Sequence, residues 1–191
     1  MPKLFGKEYT EMQLRERVGT MDQLGGVERI ILAEGNSTGI EAYRIRTGGG
    51  LDATVLATRG MDIGPASYRG YPLAWQSATG QAHAAFFEPE GLSWLRTFHG
   101  GLVCTCGLTY AGSPCIDGEQ ALGLHGRVSH IPARHLASGA YWRDGEYFMY
   151  VEGEVREAIV FGENIVMKRT ITAVLGQPEL HILDVVTNDA F

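Results

Sequence analysis

No apolar run in this sequence approaches the roughly 18 residues a helix needs to span a bilayer, although 45% of its residues are hydrophobic. A helical membrane protein is thereby excluded. The amino terminus, MPKLFGKEYTEM, lacks an apolar stretch followed by small cleavage-site residues, so no signal peptide is expected and the default compartment is the cytoplasm. Cysteine is scarce. Cys104, Cys106 and Cys115 are an odd number, a poor basis for a disulfide framework, and a single C-x-C pair lacks the second pair of a structural zinc site. All three are expected to be buried thiols. Basic residues are outnumbered, 16 against 22 acidic, giving a formal charge of -6 without a basic stripe. This argues against nucleic acid as a partner.

Helix signals are also few. Only TEMQLRERV (residues 10–18) carries one, with Thr10 and Gln13 at capping-box spacing and Gly19 as a stop. Elsewhere 26 glycines punctuate short stretches rich in β-branched residues. Segments 27–35, 39–47 and 51–60 read as strands, and 63–77 as a hairpin turning at Arg69-Gly70-Tyr71-Pro72. Segment 86–98 reads as a loop with one helical turn at 91–95, and HGGLVCTCGLTY (99–110) as a return to strand. From His135 onward the pattern predicts a four-stranded antiparallel meander, with Asp144-Gly145 as a hairpin turn and Gly176 to Glu179 at the next turn. Alternation over 165–174 gives that sheet a core side and a wet side. The fold class is all-β with one short N-terminal helix. The strong strand close to Val185–Phe191 has an open edge, which normally pairs with something.

Six histidines are present, three of them in LHGRVSHIPARH (residues 124–135). The i, i+5, i+10 spacing of His125, His130 and His135 fits neither a helical face nor one face of a strand, and Pro132 breaks a helix that could align them. A three-histidine zinc site, with His99 as the outside ligand, is therefore a weak reading. Acid/base work suits histidine better, because it exchanges protons near neutral pH. His125, flanked by Gly123 and Gly126, is the best candidate, with Arg127 as a fork for hydroxyl or anionic groups. The alternative is a loop histidine with a structural arginine. Arg59 and Asp62 in TRGMDIG stand at a strand end, where they either read a ligand or pair with each other. Trp75, Trp94 and Trp142 are expected in the core rather than stacked on a sugar. His83 and His181 read as structural or exposed, and Asp117 and Glu119 as a solvated loop.

The blocks RGMDIGPASYRGYPLAW, FHGGLVCTCGL and GLHGRVSHIPA, in this order, resemble the DUF4432-type branch of the aldose 1-epimerase (galactose mutarotase-like) superfamily. The resemblance spans Leu24 to Phe191 and implies a mutarotase-like antiparallel β-sandwich, a supersandwich, with a sugar cleft on one sheet. It also implies a histidine acting on the ring oxygen and a late glutamate base. By this likeness His125 is the catalytic histidine, and Arg127, Arg59, Asp62 and His99 bind substrate. No metal or organic cofactor is implied. Because family members run on beyond this chain, the expectation is a single partial domain, 1–23 helical segment and 24–191 β-sandwich portion, lacking the base. Its open edge would be covered by a second copy or by a C-terminal segment. The partner is a small-molecule sugar. Two rival readings stand beside it: a sugar-binding protein without catalysis, and a metal-dependent, cupin-like sugar isomerase.

Overall fold

The computed structural model describes residues 1–190, arranged as five antiparallel sheets with one α-helix. The ribbon β1 (Lys3–Leu4) and β2 (Lys7–Glu8) leads to helix α1 (Glu11–Arg15). A five-stranded sheet follows in sequence order: β3 (Gly26–Ile31), β4 (Glu41–Arg46), β5 (Leu51–Leu56), β6 (Asp62–Tyr68) and β7 (Tyr71–Pro72). Next come the pair β8 (Trp75–Gln76) and β9 (Gly100–Gly101) and the ribbon β10 (Cys115–Asp117) and β11 (Gln120–Leu122). The second large sheet is the expected meander of β12 (Arg134–Arg143), β13 (Glu146–Ala158), β14 (Asn164–Val174) and β15 (His181–Asn188). Phe191, the last residue of the expected open edge, lies outside the described residues.

Local chemistry accounts for the ends of these elements. Gln13 N–H donates to Thr10 Oγ1 at 3.2 Å while Thr10 N–H donates to Gln13 Oε1 at 2.9 Å, closing the capping box that starts α1. The helix stops at Arg15 rather than residue 18, because only Leu14 of its residues is buried and a short helix without packing does not propagate. Asp144 and Gly145 both take left-handed backbone (φ 52° and 76°), as a tight turn between twisted strands requires.

The core lies between the two large sheets. Tyr43, Ile45 and Val55 from β4 and β5 pack in one cluster with Met149, Val151 and Ile171 from β13 and β14. Along β13 burial alternates strictly, so Tyr147, Met149, Val151, Gly153, Val155 and Glu157 form the inward row. Gly153 leaves room there for Met61, whose sulfur would stand 2.8 Å from an added Cβ. The turn between β5 and β6 is thereby seated on the facing sheet.

Three expectations are corrected. Segment 99–110 forms strand only at Gly100–Gly101, because beyond an isolated bridge from Val103 to Ile63 no strand runs beside it. The thiols are free but not all buried: Cys104 is half-buried and Cys106 exposed on this irregular stretch outside the sheet core, and Cys115 is exposed on the β10 ribbon. Trp75 is exposed on the short β8, whereas Trp94 is buried.

Ile171 and Ile182 are cross-strand partners on β14 and β15, but Ile171 is fully buried and Ile182 is 40% exposed. Ile171→Ala is expected to cost about 2–5 kcal/mol in urea unfolding, and Ile182→Ala less than about 1 kcal/mol. Equal losses would mean that the core does not lie where the structure places it.

Candidate functional site

Arg59 is fully buried in the turn after β5. Its Nε donates to Ser129 O at 2.8 Å, Nη1 to Ala82 O at 2.6 Å, and Nη2 to Thr97 O at 3.1 Å and to His130 Nε2 at 3.0 Å. A guanidinium has donors only, so His130 Nε2 must accept and its proton sits on Nδ1, which faces Ser129 Oγ at 3.0 Å. Trp94 Nε1 donates to the same hydroxyl at 3.2 Å. Gly60, next to Arg59, has φ +62°, and an added Cβ would stand 2.6 Å from Val128 O. The RGMD turn and the Val128–His130 turn therefore lie backbone to backbone.

Asp62 does not pair with Arg59. Its Oδ1 accepts from Thr105 N–H at 2.6 Å, while Oδ2 is buried without a hydrogen-bond partner among the described residues. Burial pushes this carboxyl up to about 6, against the pull of the Thr105 bonds, Arg59 and Arg169. His99 is 3% exposed, and both of its ring nitrogens also lack a partner among the described residues. Burial and the Arg59 charge lower it to about 4. Burial, Arg59 and His99 lower His130 to about 3. Arg59, Asp62, His99 and His130 thus belong to one buried polar layer.

His125 and Arg127 lie above this layer, on the loop leading to the Val128–His130 turn. His125 is half-buried, takes left-handed backbone at φ 57°, and donates its N–H to Gly112 O at 2.9 Å. Its ring stands edge-on to Trp94, centroids 5.0 Å apart. A non-glycine residue in this conformation is held there by its surroundings. Arg127 is exposed and lines a cavity of about 170 Å³ together with Phe87, Thr109, Tyr110, Gly126 and Glu157. The structure therefore places the five candidates on two levels: Arg59, Asp62 and His99 below, His125 and Arg127 at the surface. His135 is exposed, at a bulge in β12.

Two charged residues escaped the sequence reading. Glu157 closes the inward row of β13 and is 5% exposed. Thr109 Oγ1 donates to its Oε1 at 2.9 Å, and burial raises its carboxyl above the usual range while Thr109 and Arg127 oppose the shift. Arg169, on the inward row of β14, is 4% exposed. It is bidentate to Asp184 at 2.7 Å and 2.7 Å, and Nη1 donates to Thr105 Oγ1 at 2.6 Å and Met61 O at 3.2 Å. The signal available in the sequence was period two: each charge falls in register with an apolar row. Among the described residues no group of three or more His, Cys, Asp or Glu side chains is placed to hold a metal, and no helix is long and apolar enough to cross a membrane.

Two facing antiparallel sheets with the site on the loops between them define the class. A crystal structure from Klebsiella pneumoniae subsp. pneumoniae, described as a "putative aldose 1-epimerase", matches with a TM-score of 0.80 and 26% identity, over 89% of this chain and 46% of that one. Galactose 1-epimerase from Lactobacillus acidophilus matches at 0.53 and 13% identity, over 86% of this chain and 49% of that one, a likeness of fold. The fold is the mutarotase-like β-sandwich, and the chain spans about half the length of the structures it matches. The chain belongs to the DUF4432 family, "Domain of unknown function (DUF4432)", whose profile matches residues 37–191. No match was found among curated proteins.

The buried layer sets a pH dependence. In the unfolded chain histidine protonates near 6.5, but folded His99 and His130 do not until about 4 and 3. As pH falls below about 6.5 the unfolded state binds the extra protons, and stability is lost. Asp62 works oppositely, since its folded carboxyl protonates first, at about 6, and its contribution grows as pH falls towards the unfolded value near 3.9. The shifts of the two histidines outweigh those of the two raised carboxyls, Asp62 and Glu157. The urea midpoint should fall between pH 6.5 and 4.5, and fall less steeply in His99→Leu; a midpoint that rises across this window would refute the arrangement.

Proposed function

We propose that this chain forms part of a sugar-binding, aldose 1-epimerase-like protein, acting on the anomers of a small aldose by proton transfer. The observation that carries the reading is the 0.80 TM-score likeness, at 26% identity, to the Klebsiella structure, with the LHGR loop, half-buried except at Arg127, as the functional segment. In this reading His125 touches the sugar and gives a proton to the ring oxygen as the C1–O5 bond breaks, while a base, a carboxylate or water, takes the proton of the anomeric hydroxyl; the reverse transfers reclose the hemiacetal. Arg127 holds hydroxyls at the cavity mouth. Arg59, Asp62 and His99 are buried, and of the three Arg59 holds the turn that follows the loop, through Ser129 O and His130. The chemistry needs neither metal nor organic cofactor, and three free thiols suit a cytoplasmic setting.

A second reading, sugar binding without catalysis, is favoured by one observation: the cavity is lined by Arg127 and Glu157 but not by His125. The metal-dependent isomerase has no donor set among the described residues.

NMR exchange spectroscopy on galactose and glucose separates the two. Exchange between anomers faster with protein than in buffer selects the catalytic reading, and His125→Ala should then lower the catalysed rate about 10²- to 10⁴-fold, with His135→Ala near wild type. Binding without faster exchange selects the second reading. Failure to bind any aldose removes both.

A further inference from the structure

Glu157 and Arg127 line one cavity, yet no ion pair joins them, and Arg127 makes no side-chain hydrogen bond among the described residues. Of the carboxyl's two oxygens, Oε1 accepts from Thr109 Oγ1 at 2.9 Å; no other side chain donates to it among the described residues. A carboxyl that is 5% exposed at the end of an apolar row is held there by Thr109, and its remaining lone pairs can accept from a ligand in the cavity that it lines. Arg127 lines the same cavity, is exposed, and its five donors find no protein acceptor among the described residues. Donor and acceptor are thus presented side by side, unspent.

The charges around the cavity decide what fits. Besides Arg127 and Glu157, Glu163 lines it, so one cation faces two carboxyls. Tyr110 adds a phenol. A phosphate or carboxylate placed there would gain Arg127 but meet Glu157 and Glu163, and like charges at short range are unfavourable in a partly desolvated site. Neighbouring hydroxyls of a neutral sugar match both walls, since one accepts from the guanidinium while the next donates to the carboxyl. Resting on the sugar-binding reading above, we propose that Glu157 and Arg127 form a specificity subsite for adjacent hydroxyls of a neutral aldose, one that selects against phosphorylated sugars.

The test is calorimetric titration of the protein at pH 7.5 with galactose, glucose and their 6-phosphates. Wild type should bind a neutral aldose more tightly than its 6-phosphate. Glu157→Gln, close in shape, should weaken the neutral sugar about tenfold, the loss of one charged hydrogen bond, and shrink the preference over the phosphate. A merely structural role would leave that preference unmoved. Arg127→Met alters an exposed side chain with no protein partner, so it folds even if Glu157→Gln does not, and it should also cost about tenfold for the neutral sugar. Tighter binding of the 6-phosphate, or wild-type binding of galactose and glucose by either folded variant, overturns the subsite while leaving the sugar-binding reading intact. Absence of binding by all four sugars overturns both.

Discussion

The buried guanidinium of Arg59 is the contact on which the rest of the site depends. A charge removed from water is tolerated only when its donors are satisfied, and here they are satisfied by carbonyls of Ala82, Thr97 and Ser129 and by the ring of His130. Those partners come from three loops separated from Arg59 by 23 to 71 residues in sequence. One side chain therefore does for loops what a ladder of backbone bonds does for strands. Burial, helped by the Arg59 charge, keeps His99 and His130 neutral, so the layer beneath the LHGR loop is polar but carries few competing charges.

The sheets supply what the loops cannot. Met61 drops into the room left by Gly153 on β13, and Arg169 on β14 reaches Met61 O and the Thr105 hydroxyl, whose residue's N–H caps Asp62. Turn, strand and loop are thus tied into one body at the place where the two sheets face each other. His125 sits on the outer side of that body in left-handed backbone, its ring against Trp94, and Trp94 is itself fixed through Ser129. The exposed residues are positioned by buried ones.

Much of the fold was legible in the sequence because strand chemistry is local. The Thr10/Gln13 capping box, the Asp144-Gly145 turn and the alternation along 165–174 each report on a few neighbouring residues, and each appears where the pattern put it. Segment 99–110 misled because β-branched and cysteine residues there have strand propensity without a partner strand, and pairing is a long-range matter. The same holds for the site. His125 and Arg127 could be picked from a glycine-flanked motif, but nothing local says that Arg59 spends its donors on carbonyls. Glu157 and Arg169 were legible only as charges in register with apolar rows, a signal that acquires meaning once the facing sheet and the cavity are known.

In the proposed function the ligand meets the chain at the loop that leads to the Arg59 layer. Mapping backbone amide shifts in ¹⁵N-labelled protein during a galactose titration tests it most directly. Shifts should concentrate at Thr109–Gly112, Gly123–Arg127 and Glu157, and saturate together. Shifts confined to the exposed face of β15 around Ile182–Val186, or scattered without saturation, would contradict it.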